Sequence, residues 1–98
     1  MKRRFIISTR ARKDIKGILA YTENTWGIRQ RDIYAQMIND KLRAVKNKPD
    51  SGRSRLDLPR PYKCLRAEQH FIVYKTENDL IQVTRVLHEK MDFSRHIS

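Results

Sequence analysis

Gly27 constrains this chain more than any other residue, because it divides two stretches of helical periodicity with almost nothing else between them. Before it, Ala11, Ile15, Ile18, Leu19, Thr22 and Trp26 fall at the spacing of one buried helix face. After it, Tyr34, Met37, Ile38, Leu42 and Val45 repeat that spacing, with Arg29, Arg31, Lys41 and Lys48 among the polar positions. A glycine between them is expected to close the first helix in a left-handed cap. Two helices joined by so short a turn pack antiparallel as a hairpin and need a further layer to cover their apolar faces.

Strand patterns on both sides supply that layer. Phe5-Ile6-Ile7 predicts a short opening strand over residues 3–8, with Ser8 or Thr9 as the N-cap of the first helix. Pro49-Asp50-Ser51-Gly52 stops the second helix, and the stretch through Arg53, Arg55, Pro59, Arg60 and Pro61 has no period and several breakers, so it reads as a basic loop. Tyr62–Ala67, residues 70–76 and Leu80–His88 are then predicted strands, the last two joined by a hairpin turn at Glu77-Asn78-Asp79. The order β-α-α-β-β-β segregates the helices from most strands. It predicts an α+β fold, a helical hairpin packed on a mainly antiparallel sheet. The length suits one domain over residues 1–98, of which 92–98 form a short tail. In that tail Asp92 is a candidate cap, and Phe93 and Ile97, four apart, form an amphipathic turn that either docks on the body or is offered to a target.

Charge narrows the partners. The net charge of +11 is concentrated in residues 1–16, with seven basic groups against one acid, and in residues 41–66, with nine against two. Such an excess repels itself in the compact state and favours a polyanion, an acidic protein or an anionic surface. A single cysteine, Cys64, excludes an internal disulfide and points to a reducing cytoplasm. Phe5-Ile6-Ile7 is too short for a signal-peptide core or a membrane span, so no membrane partner is expected.

The densest chemistry sits where the last predicted strand runs into Arg85-Val86-Leu87-His88-Glu89-Lys90-Met91-Asp92. In an ideal strand Ile81, Val83, Arg85 and Leu87 share one face, and Leu80, Gln82, Thr84, Val86 and His88 the other. Arg85 among aliphatics either anchors an anionic ligand or pairs internally with a residue such as Asp92, Glu89 or Glu68. His88 can serve as a general acid or base, and with Arg85, Arg66 and Lys63 it would make a phosphodiester site for in-line attack by a 2′-hydroxyl; the plainer reading is a structural or target-contact histidine. His70, His88 and His96 lack the spacing and companions of a metal site, so no metal or cofactor is expected. Tyr21, Trp26 and Tyr34 lie near the helical turn, either as a cluster fixing the helices or as an aromatic-lined groove. The buried-face series assigns Trp26 to the core. Lys41, Arg43, Lys46, Lys48, Arg53, Arg55 and Arg60 are a solvated face or a partner contact. The interleaved aromatic and basic strand motif of a nucleic-acid-binding module is missing, so direct nucleic-acid binding is not expected.

Taken together, Ile7-Ser8, Ala11, Asp14-Ile15, Tyr21-Thr22, Trp26-Gly27, Gln30, Tyr34, Tyr62, His70 through Tyr74, and Arg85 through Asp92 with His96 resemble the ParE branch of the RelE/ParE toxin superfamily. The most specific parts are the Tyr-Thr to Trp-Gly segment with its following Gln, and the Val-Leu-His-x-x-Met-Asp end. The resemblance implies a cytoplasmic toxin of a type II toxin–antitoxin pair, acting on DNA gyrase by binding rather than catalysis. It also implies neutralisation by a ParD-like antitoxin with a flexible acidic tail, in a toxin–antitoxin hetero-oligomer. Arg85, His88, Met91, Asp92, Arg95 and His96 are then the candidate target contacts. Tyr21, Tyr34, Lys41, Arg43, Arg53, Arg55, Arg60 and Lys63 are the candidate antitoxin contacts. The alternative within the superfamily is a RelE-like ribosome-dependent messenger endoribonuclease using Arg66, Arg85 and His88. The chain departs from the family at Pro61-Tyr62, where Gly-Tyr is common, and at Glu68-Gln69-His70, where a Gly often stands two residues before the histidine. Because Glu disfavours positive φ, the turn at Glu68 is expected to adopt another backbone type.

Overall fold

The computed structural model describes residues 3–97. Strand β1 (Arg4–Ile7) leads into helices α1 (Thr9–Trp26) and α2 (Ile28–Asn47), then β2 (Tyr62–Ala67), β3 (His70–Glu77) and β4 (Leu80–His88). Single 3-10 turns follow α2 at Pro49–Ser51 and close the tail at Phe93–His96. The sheet has four strands in the order β1-β4-β3-β2. β1 runs parallel to β4, and the other two pairings are antiparallel. The architecture is thus the expected α+β arrangement.

Local chemistry explains the joints. Ser8 has extended backbone, and its Oγ accepts from the Ala11 N–H at 3.0 Å while donating to the Thr84 carbonyl at 2.9 Å. One hydroxyl thereby caps α1 and pins it to β4. Gly27 joins the helices at φ 94° and ψ 171°, positive but with extended ψ rather than the left-handed helical cap expected. Its N–H donates to the Glu23 carbonyl, and its own carbonyl accepts from Arg31. An added Cβ at Gly27 meets nothing, so the backbone angle alone demands glycine. The Arg31–Glu23 ion pair spans the same turn.

The helices cover one sheet face. Ala11, Ile38, Leu42 and Val45 pack with Ile72, Tyr74, Ile81, Val83 and Val86, flanked by Ile15, Ile18 and Leu19. Buried Tyr74 ties this layer to the end of α2, its hydroxyl donating to the Pro49 carbonyl at 2.6 Å and accepting from the Gly52 N–H at 2.9 Å. A Cβ on Gly52 would fall 2.2 Å from that oxygen, so only glycine fits the stop signal there. On the other face Leu58, Cys64, Val73, Leu87 and Phe93 form a second cluster, roofed by the basic loop and the tail. Asp92 caps the tail turn through Ser94, and Phe93 is fully buried, so the tail docks on the body. Burial pushes the Cys64 thiol pKa up, as suits a packed strand side chain.

Two features differ from the strand-level expectations. A bulge on β4, opposite the Val73–Tyr74 step of β3, leaves Thr84 without a partner on β3, since Val73 pairs with Arg85 and Tyr74 with Val83. The bulge breaks strict alternation. Val86 therefore joins Ile81 and Val83 on the helix side, and Leu87 faces the opposite cluster. The β2–β3 turn also departs from expectation: Glu68 does adopt positive φ, 58°, as Asn78 does at 54° in the following hairpin. Each is the first residue of a two-residue loop, a position that calls for positive φ whatever the residue.

Candidate functional site

Two rows of α1 residues at four-residue spacing, Lys13-Gly17-Tyr21 and Asp14-Ile18-Thr22-Trp26, line an open groove of about 870 Å³. Gln30 and Tyr34 of α2, Gln69 of the β2–β3 turn, the ends of β3 and β4 at His70, Val86 and His88, and Met91 complete the lining. Trp26 is 70% exposed and Tyr21 67% exposed. The core assignment of Trp26 is thereby overturned. The series Ala11 to Thr22 has sheet opposite it, but the last turn of α1 lies beside the groove instead. The aromatic pair is groove surface.

Gly17 is the residue that periodicity missed. It stands in the interior of α1 with nothing within 4 Å of an added Cβ, so alanine would gain helix propensity of about 1 kcal/mol at no steric cost. No packing need accounts for glycine there. The glycine leaves that part of the groove wall without a side chain.

One end of the groove is closed by an ion pair. The Asp14 carboxylate accepts from Arg85 Nε at 2.8 Å, from Arg85 Nη2 at 3.0 Å and from the Val86 N–H at 3.0 Å. Both side chains are largely buried, at 14% and 17% exposure. Arg85 does pair internally, but with Asp14 rather than Asp92, Glu89 or Glu68. The reason is topological: β1 pairs with β4 only as far as Val83, so Asp14 takes over as acceptor for β4 beyond that point.

The other part of the site is a stacked set of polar rings. The Tyr34 hydroxyl lies 2.6 Å from His70 Nδ1, and the His70 ring meets His88 edge to face at 5.1 Å. The Lys90 N–H lies 3.1 Å from His88 Nδ1, which leaves Nε2 as the ring edge turned to other partners. Burial, reinforced by the charge of His88, holds the His70 pKa below the usual imidazole range. Burial likewise raises that of Tyr34, so the hydroxyl and ring meet as neutral partners. The Tyr34 hydroxyl and the His70 ring orient one another and offer polar edges to the groove, beside the apolar surface of Ile18, Trp26, Val86 and Met91.

The candidate contacts separate in space. His88 and Met91 border the groove, whereas Asp92 is spent on its cap, Arg95 is exposed on the tail, and His96 lines a smaller hollow elsewhere. Arg85, as a target contact, is occupied by Asp14. Among the antitoxin candidates only Tyr21 and Tyr34 reach the groove. Arg55 is bound to Asp57 and lies 4.0 Å over the Phe93 ring, Lys63 sits 3.8 Å from Asp50, and Lys41, Arg43, Arg53 and Arg60 stand outside the lining. Arg66, Arg85 and His88 do not converge as a set. Arg66 lies over Phe71 on the second sheet face and bonds Glu89, while His88 stacks on His70 at the groove. Among the described residues no three His, Cys, Asp or Glu groups come together to hold a metal ion. No described helix is long and apolar enough to cross a membrane.

The family model for the ParE toxin of the type II toxin-antitoxin system, parDE, matches residues 5–93. This chain belongs to the ParE toxin family. Toxin ParE1 of Mycobacterium tuberculosis is 29% identical over 98 residues, covering 99% of this chain and 100% of its own length. Toxin ParE1 of Caulobacter vibrioides is 26% identical over 91 residues, covering 93% and 94%. A chain of the chromosomal ParDE TA system from P. aeruginosa superposes with a TM-score of 0.77 over 88% of this chain and 95% of its own, at 15% identity, which shows a shared fold. The ParE family match runs from β1 to the docked tail, so both groove walls and the Asp14–Arg85 closure lie inside it.

Proposed function

We propose that this ParE-family toxin acts in the cytoplasm by binding DNA gyrase, without chemistry of its own, and that a ParD-like antitoxin silences it by laying an amphipathic helix in the groove. The observation that carries the antitoxin reading is the exposure of Trp26 and Tyr21 on the wall of that groove. Rigid aromatics beside an apolar channel are the anchors that helix-in-groove recognition uses. The net charge of +11 favours fast capture of an acidic segment.

The gyrase reading rests on family membership, and the commitment of Arg85 to Asp14 supports binding over phosphodiester cleavage. A guanidinium already held by a carboxylate on two of its nitrogens has little left with which to neutralise a developing phosphorane charge. His88 and Met91 at the groove mouth, with Arg95 exposed on the tail beside Asp92, are the candidate contacts that a target can still reach.

The test is expression of the chain in a bacterial cell lacking antitoxin, with DNA-damage signalling, messenger integrity and protein synthesis followed together. Growth arrest with DNA breaks and intact messengers is the expected result. Prompt messenger cleavage, abolished by alanine at His88, would transfer the chain to the endoribonuclease reading.

A further inference from the structure

The sheet ends in two edges, and the chain guards only one of them. At the β2 edge the Arg53 N–H donates to the Cys64 carbonyl at 2.8 Å, the Cys64 N–H returns to Arg53 at 2.9 Å, and the Tyr62 N–H goes to the Pro59 carbonyl. The basic loop thus lies where a further strand would pair. At the β1 edge, the Arg4 N–H goes to the Asp79 carbonyl and the Ser8 N–H to that of Val83. Arg4, Ile6 and Ser8 therefore turn their backbone groups to β4, and Phe5 and Ile7 turn theirs away from it. Arg12 Nε donates to the Ile7 carbonyl at 3.2 Å. The Phe5 N–H, the Phe5 carbonyl and the Ile7 N–H bond to no other described residue.

Charge around this open edge is uncompensated. Arg3, Arg4, Arg10, Arg12, Lys13 and Lys16 flank it in sequence, and none of them forms an ion pair among the described residues. Asp14, the acid of that stretch, is spent on Arg85. Even Asp79, whose carbonyl takes the Arg4 N–H at 2.7 Å, makes no ion pair with the Arg4 guanidinium. Phe5 and Ile7 turn their side chains to the core beneath the helices, whereas Ile6 points to the opposite face and is 39% exposed.

We propose that the β1 edge receives an extended, acidic peptide segment of a partner protein as a fifth strand. Open N–H groups at Phe5 and Ile7 with an open carbonyl between them form the alternation that another peptide backbone completes. A phosphodiester backbone offers acceptors alone and would leave the Phe5 carbonyl without a donor. A second copy of this chain would bring the same arginines, and its net charge of +11, to the same edge. On the guest strand, residues of one face would meet Arg4 and Ile6, and those of the other would meet Arg12 of α1. An aliphatic side chain opposite Ile6 between acidic neighbours suits that surface. None of Arg4, Phe5, Ile6, Ile7 and Arg12 lines the aromatic groove, so this edge does not depend on the antitoxin helix lying there.

The test is an NMR titration of the isotopically labelled full chain with a short peptide alternating glutamate and valine, followed by amide hydrogen exchange of the saturated sample. Saturable shifts at Phe5, Ile6 and Ile7, with slowed exchange of the Phe5 and Ile7 amides, are the expected result. The same peptide with lysine in place of glutamate is expected not to bind. Arg4→Glu, an exposed change that leaves the ladder bonds to β4 in place, is expected to weaken binding of the acidic peptide about fivefold. The proposal is overturned if no saturable shift appears, if the lysine peptide binds as well, or if the Phe5 and Ile7 amides exchange unchanged at saturation. Shifts confined to Gly17 and Trp26 would move the acidic segment to the groove and overturn it too, as would a short DNA duplex that protects the same two amides.

Discussion

The two ends of the main groove are built from different kinds of residue and use them in opposite ways. At the Asp14–Arg85 end, the carboxylate meets three donors, and both side chains are withdrawn from solvent. Toward the helical turn, Tyr21 and Trp26 are left outside with no partner layer, beside a glycine whose Cβ would meet nothing. The first end holds α1 to β4. The second has surface that folding does not use, which is what a binding face needs. Charged groups with chemical potential are therefore structural here, and the apolar groups are the ones free to recognise a partner.

The comparison is most easily broken at the closed end. Asp14→Ala strands a buried guanidinium and the Val86 N–H together, and is expected to lower stability by about 3–5 kcal/mol, measured by urea unfolding. Pairing Asp14→Leu with Arg85→Met removes both charges and should recover most of that loss. A loss under about 1 kcal/mol for Asp14→Ala would mean that the pair is no clamp, and Arg85 would return as a candidate for the target.

The open end gives the reverse pattern. Trp26→Ala is expected to leave stability within about 0.5 kcal/mol, because the side chain is already solvated, yet to cost about 2 kcal/mol, some thirtyfold, in affinity for a ParD-like antitoxin by calorimetry. Gly17→Ala sharpens the contrast, since it should raise stability slightly while weakening the same complex. A strong destabilisation by Trp26→Ala, with binding untouched, would return the tryptophan to a structural role.

Much of this was legible in the sequence, and the failures share a cause. Strand and helix extents follow local periodicity, which is why Tyr62–Ala67 and Leu80–His88 were recoverable from the chain alone. Whether a periodic residue is buried depends on what lies opposite it. Ile18 and Trp26 occupy the same helical row, but only the first has the core against it. Asp14 and Arg85 are 71 residues apart, and their pairing depends on β1 ending at Ile7, a fact of topology with no local signal. The bulge at Thr84 moved Val86 and Leu87 to faces that strict alternation assigns the other way. At Glu68, hairpin geometry overrode a residue preference. Gly17 did carry a readable signal, a glycine at a helix-interior position, though one that only the groove gives meaning.

The smallest expected effect concerns the stacked rings that lie between the two ends. His70 is reached by the Tyr34 hydroxyl from α2 and by His88 and Glu89 from the end of β4. Its folded-state pKa is lowered, first by burial and then by His88, against a smaller opposing pull from Glu89. An unfolded histidine takes up its proton near pH 6.5, so below that value the unfolded chain binds more protons than the folded one. This contribution to stability is therefore intact above about pH 6.5 and is lost as pH falls from there through the lowered folded value, at no more than about 1.4 kcal/mol per pH unit for a single group. His70→Gln is expected to flatten that acid slope in unfolding measurements between about pH 7.5 and 5.5, since glutamine keeps a polar contact for Tyr34 without titrating. An unchanged slope would mean that His70 takes its proton as readily in the fold as outside it. The Tyr34–His70–His88 set would then belong with the solvated surface of the groove rather than with its structural end.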